Sequence, residues 1–122
     1  MDESQLINMF ANGTYDVENL RGKIFTVEII TGFKDLGFDG RWTKIFRHRK
    51  LTGYNKLNKV IFGEFMVVPG TWSGYQCVML DYGPGFFSVK DYLRQVAPDT
   101  WLGVYVVGGH LKGWFRLSEV EK

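Results

Sequence analysis

Glu64 is the only carboxylate in the apolar run Lys59 to Val68, "KVIFGEFMVV". Strict strand alternation sets it on the face of Val60, Phe62, Met66 and Val68, where a carboxylate is desolvated unless it is paired. Desolvation raises a carboxyl pKa towards the range of a general acid or base, and the same group could anchor a ligand hydroxyl or amine. The simpler alternative turns Glu64 to solvent through a bulge, or pairs it with a basic residue of a neighbouring strand. His48 shares a face with Trp42, Lys44 and Phe46 by the same parity. An imidazole there could shuttle a proton or serve as an axial haem ligand; a surface or hydrogen-bonded histidine is the plainer account of both His48 and His110. Glu64 and His48 are the candidate catalytic residues.

Two histidines and one cysteine, with no ligand spacing between them, do not read as a metal site. No cofactor can be named. Cys77 lies in an apolar strand without a basic neighbour, as a small buried hydrophobe would. The glycines of "GPG" and "GTWSG" lack the Gly-Lys-Ser/Thr and strand-to-helix context of a phosphate loop. The aromatic set offers more. Trp42, Phe62, Tyr75, Trp101, Tyr105 and Phe115, together with Met66, are candidate lining for a small flat or apolar ligand. Trp101 and Tyr105 share one face of their strand, while Trp114 and Phe115 point to opposite sides.

The elements that must position these residues are mostly strands. With 16% aromatic residues and 15 glycines in 122 residues, the composition suits pleated surfaces joined by tight turns, and the length suits one domain spanning 1–122. Strands are expected over Lys23–Thr31, Arg41–Arg49, Lys59–Val68, Tyr75–Tyr82, Trp101–Val107 and Leu111–Val120, six in all. Breaks fall at "GFKDLGFDG", "LTGYN", "PGTWSG" and "GPGFFS". The glycines of "GGH" can supply the positive φ of a hairpin between the last two strands. Leu6, Ile7, Met9 and Phe10, with Asp2 or Ser4 as N-cap, predict a short N-terminal helix packed on the core. Ser88 and Asp91, three apart, resemble a capping box and predict one short helix over "SVKDYLRQV" before the last two strands. The fold class that follows is mainly β, a small antiparallel meander curled into a β-barrel, because closure removes the edges that such apolar strands would otherwise expose.

The segments "LRGKIFTVEII", "LDYGP" and "VKDYLRQVAPDTWLGVYVVGGHLKGWFRL" resemble lipocalin-like, or calycin, small barrel domains, most clearly over residues 81–117. That resemblance implies a cup-shaped barrel whose interior binds a small, mostly apolar molecule. It implies no reaction.

A net charge of +2 gives no general field for nucleic acid or an anionic membrane. The basic stretch 41–50, with "RHRK" at Arg47–Lys50, could contact phosphate or RNA, but its charges fall on both strand faces, as on a solvated rim. A lone cysteine, no signal-peptide pattern and no long apolar run lead us to expect a cytoplasmic protein without a membrane span. An exposed edge between the first and last strands would favour a homodimer. The leading expectation is therefore the binding of a small hydrophobic molecule. An isomerase, cyclase or lyase acting on a hydrophobic metabolite in the same cavity is the second reading, and a nucleic-acid or protein interaction module on strand 41–50 the third.

Overall fold

An antiparallel wall with a packed lumen on one side should alternate buried and exposed residues. The first strand does so in the computed structural model, which describes residues 2–32, 42–84 and 88–120. In β1 (Ile24–Thr31), Phe25, Val27 and Ile29 are buried, while Ile24 and Glu28 are exposed. The remaining strands are β2 (Trp42–Phe46), β3 (Thr52–Leu57), β4 (Val60–Trp72), β5 (Tyr75–Asp81), β6 (Val89–Ala97), β7 (Thr100–Val107) and β8 (His110–Glu119). Each pairs with its sequence neighbour, and β1 pairs with β8 from Phe25 opposite Glu119 to Thr31 opposite Trp114. The barrel is closed. The edge that would have favoured a homodimer is consumed by that pairing. Residues 33–40 of the break expected at "GFKDLGFDG", Arg41, and residues 85–87 of "GPGFFS" lie outside the described residues.

Two of the eight strands were not expected from the sequence, and β4 runs on to Trp72 through most of the break expected at "PGTWSG". The segment expected as a short helix, "SVKDYLRQV", is instead β6, with Asp91 and Leu93 buried on its inner face and Tyr92 on its outer one. Ser88 does not cap a helix; its φ of 48° turns the chain into the strand. The stretch read as a turn, "LTGYN", contributes most of β3, whose inward positions are Gly53 and Asn55. A glycine and an asparagine carry no apolar alternation, so the strand has no hydrophobic signature.

The expected N-terminal helix is α1 (Glu3–Ala11), capped by Asp2, whose carboxylate accepts from the Gln5 amide at 2.8 Å. It packs on the outside of the wall. Leu6 and Phe10 bury against Cys77, Leu102, Val104, Val106 and Trp114, forming a second core outside the barrel. Arg94 on β6 holds the far end of α1, donating to the carbonyls of Phe10 (2.9 Å) and Ala11 (3.0 Å). These contacts satisfy carbonyls that a helix C-terminus leaves free. The lumen has its own core, built from residues such as Phe25, Phe46, Phe65, Leu80, Leu93, Trp101, Phe115 and Leu117. One end of it is sealed: Val17 and Leu20 meet Phe46, Leu51 and Val67 around a void of only about 10 Å³. At the other end lie the hairpins β3–β4 and β7–β8, the latter turning on Gly108 and Gly109, both at positive φ as expected.

Candidate functional site

Four polar side chains meet in the lumen, on inward positions of strands that are otherwise apolar. Lys44 comes from β2 and lies opposite Asn55 of β3 in the register. Asp91 comes from β6, and Tyr82 follows directly on β5. In an eight-stranded meander β2 and β6 stand on opposite walls, so a contact between them must cross the lumen. Lys44 Nζ reaches Asp91 Oδ2 at 3.1 Å, with both side chains at most 5% exposed. The ammonium also donates to Asn55 Oδ1 and to the Tyr82 hydroxyl, each at 2.7 Å. All three of its protons are thus engaged. Tyr82 passes its own proton to Asp91 Oδ2 at 2.9 Å. Asn55 Nδ2 donates to Tyr82 (3.0 Å) and to the Gly63 carbonyl (3.2 Å), and the Trp42 indole donates to Asn55 Oδ1 (3.0 Å).

Rings surround the charge. Lys44 Nζ lies 5.1 to 5.6 Å from the ring centres of Trp42, Phe65, Tyr82 and Phe115, within cation–π range. Burial pulls the Lys44 pKa below its usual value, and the Asp91 carboxylate opposes that shift. Burial, reinforced by the Asp91 charge, holds the Tyr82 hydroxyl well above the usual tyrosine range. The two act on stability with opposite signs. An unfolded tyrosine loses its proton near pH 10, so Tyr82's contribution is present below that pH and falls as the pH rises through it, whereas Lys44's unfavourable burial is relieved as its amine deprotonates. Alkaline absorbance titration is expected to leave at least one of the six tyrosines protonated until the barrel unfolds. Tyr82→Phe should remove that lagging equivalent; an unchanged titration would mean that Tyr82 is not enclosed.

The strut divides the lumen. Beneath it Phe46, Val67, Leu93, Trp101 and Leu117 fill the barrel. Towards the hairpins β3–β4 and β7–β8, Trp42, Tyr82 and Tyr105 are only partly buried, and Phe62 is 38% exposed with its ring 5.9 Å from Trp42. Of the aromatic candidates, Trp42, Phe62, Tyr105 and Phe115 therefore come together around the polar cluster. Trp101 is inward but belongs to the packed floor. Tyr75 lies under α1 on the outer core, beside a shallow surface depression of about 380 Å³. Met66 is 60% exposed on the outer wall.

Glu64 is outward as well, its side chain 70% exposed and 3.8 Å from Arg47. This corrects the expectation of a desolvated carboxylate. The cause is a bulge: Tyr54 pairs with Glu64, but Asn55 pairs with Phe62, leaving Gly63 unmatched at φ 62°. One extra residue inverts the parity, so Phe62 stays inward while Glu64 and Met66 turn out. His48 is also corrected. β2 ends at Phe46, and His48 sits exposed in the following loop at the sealed end. The basic stretch is divided similarly, with Lys44 inside and Arg47 over the Tyr54 ring at 5.0 Å.

Lys44, Asn55 and Asp91 were not among the sequence candidates. A lysine between Trp42 and Phe46 at strand spacing was the visible sign of the first; Asn55 and Asp91 lay in segments read as turn and helix.

No family model matches the chain, and no curated protein matches it. Among solved structures, the crystal structure of a protein from Thermomonospora curvata is similar, with a TM-score of 0.72 and 16% sequence identity, over 99% of this chain and 89% of that one. At that identity the likeness concerns the fold.

Proposed function

We propose that the chain binds a small hydrophobic or aromatic molecule in the mouth of its barrel, above the Lys44–Asp91 strut. The observation that carries this reading is the strut itself. A buried ion pair contributes little net stability compared with apolar packing of the same volume, and the lumen beneath is otherwise filled with apolar side chains. Polar groups converging under partly accessible aromatic rings are the usual form of a small-ligand site. The packed floor limits the ligand to the mouth, so it is shallower than a full calyx would hold. An enzyme on the same barrel would have to draw on this cluster, because Glu64 and His48 face solvent. The protons of Lys44, Tyr82 and Asn55 are already held in hydrogen bonds, which favours binding over proton transfer.

The test is a fluorescence titration with N-phenyl-1-naphthylamine, a neutral apolar probe. Saturable binding of one probe per chain is expected. Trp42→Ala and Phe62→Ser should each weaken it by about fivefold to tenfold, in line with about 1–1.5 kcal/mol for an aromatic contact. Glu64→Gln should leave the affinity within about twofold, as expected for a surface position. Absence of binding, or a loss confined to Glu64→Gln, would refute the placement.

A further inference from the structure

We infer that the mouth site selects neutral ligands carrying a hydrogen-bond donor, such as a phenol or an N–H heterocycle, and discriminates against carboxylates, because among the described residues the one atom of its polar cluster left without a protein partner is an acceptor. This rests on the proposed binding site and specifies what that site prefers.

Every donor in the cluster is committed. Lys44 spends its three protons on Asn55 Oδ1, Tyr82 and Asp91 Oδ2. Asn55 spends its two on Gly63 and Tyr82, Trp42 its one on Asn55, and Tyr82 its one on Asp91. The acceptors are less evenly used. Both contacts to the Asp91 carboxylate fall on Oδ2, and Oδ1 has no hydrogen-bond partner among the described residues. The side chain is 5% exposed, and Oδ1 is not among the sealed side-chain atoms without a partner, which among the described residues are Arg94 Nε and the indole nitrogens of Trp101 and Trp114, so water reaches it. A carboxylate oxygen that meets only water is available to accept from a ligand donor.

Its position makes it useful. In the register Asp91 stands opposite Tyr105, on the inner face of the mouth half, on the wall facing Lys44. A ligand O–H or N–H delivered to Oδ1 would gain a charge-assisted hydrogen bond while its ring lay among Trp42, Phe62 and Tyr105. An incoming carboxylate would meet the opposite situation. Lys44, the only buried cation of the lumen among the described residues, is neutralised by Asp91 and has no proton left to offer. An anion would have to break the strut to be recognised, and would sit beside the Asp91 charge.

Three probes of one ring size separate the possibilities at neutral pH: 2-naphthol supplies a donor, 2-methoxynaphthalene only an acceptor, and 2-naphthoate a negative charge. Isothermal titration of the intact chain is expected to show naphthol binding at least about tenfold more tightly than methoxynaphthalene, with naphthoate weakest. Lys44→Met/Asp91→Leu, which removes both charges together and so avoids stranding either one, should collapse the naphthol to methoxynaphthalene ratio to near one. Asp91→Asn, where it folds, should reduce the same ratio. Equal binding of naphthol and methoxynaphthalene, or naphthoate binding most tightly, would overturn the donor preference while leaving a ligand site in the barrel. Failure of all three probes to bind would overturn the site on which the preference rests.

Discussion

Asp91→Leu alone is expected to destabilise the barrel by about 3–5 kcal/mol, because it leaves the Lys44 ammonium buried without its counter-ion. Lys44→Met together with Asp91→Leu should restore most of that loss, to within about 1 kcal/mol of the parent or beyond it. Adding Tyr82→Phe removes the hydroxyl that the double replacement leaves without an acceptor, and should contribute further recovery. Urea unfolding of the single, double and triple variants measures the coupling directly. The physical basis is an asymmetry. Desolvating two charges costs about as much as their attraction returns, so removing both costs little, whereas removing one exposes the whole desolvation penalty of the other. Recovery in the double variant would show that the strut is not required for folding, as expected of groups placed for recognition. A double variant as unstable as Asp91→Leu would make the strut a structural device and remove the main support for a site above it.

Gly53→Ala is the second large effect. The glycine lies on the inner face of β3, two residues before Asn55, and a Cβ built there would stand 2.5 Å from the Ile45 carbonyl oxygen and 2.5 Å from the tip of the Phe65 ring. The carbonyl belongs to the β2–β3 ladder and cannot retreat without straining it, so the alanine both strains that ladder and displaces the ring. That ring packs at 5.4 Å from both Phe46 and Tyr82 and at 5.5 Å from the Lys44 ammonium. Overpacking here should cost about 2–4 kcal/mol, seen as a fall of about 10 °C in Tm. Probe binding in the mouth should weaken as Tyr82 and Lys44 shift with Phe65. A Tm within about 2 °C of the parent would mean that the ring has room the packing does not show.

The barrel was legible in the sequence because most of its wall obeys a simple rule. In β1, Phe25, Val27 and Ile29 alternate with Thr26 and Glu28, and that pattern alone settles which face is inward. The rule failed where the site lies. Asn55 and Asp91 occupy inward positions that a purely structural barrel would fill with apolar residues, and their polarity disguised β3 as a turn and β6 as a helix. A buried polar network is paired by residues distant in sequence, so nothing near Asn55 or Asp91 announces the partner that makes its burial tolerable. The bulge at Gly63 hid the rest. Parity read through it assigned Glu64 and Met66 to the lumen, and only the pairing of Asn55 with Phe62 reveals the slip. Phe62 kept its inward place because it precedes the extra residue. His48 failed for a different reason: β2 is five residues long, and the alternation was carried beyond its end.

The most direct test of a ligand site above the strut is an amide and indole NMR titration of the ¹⁵N-labelled chain with N-phenyl-1-naphthylamine. The account predicts saturable shifts of the Trp42 indole N–H and the Asn55 side-chain amide, which share one hydrogen bond in the mouth, while the indole of Trp114, buried beneath α1, stays in place. Shifts at Trp114 and the residues of α1, with Trp42 and Asn55 unmoved, would place binding on the outer wall and contradict it.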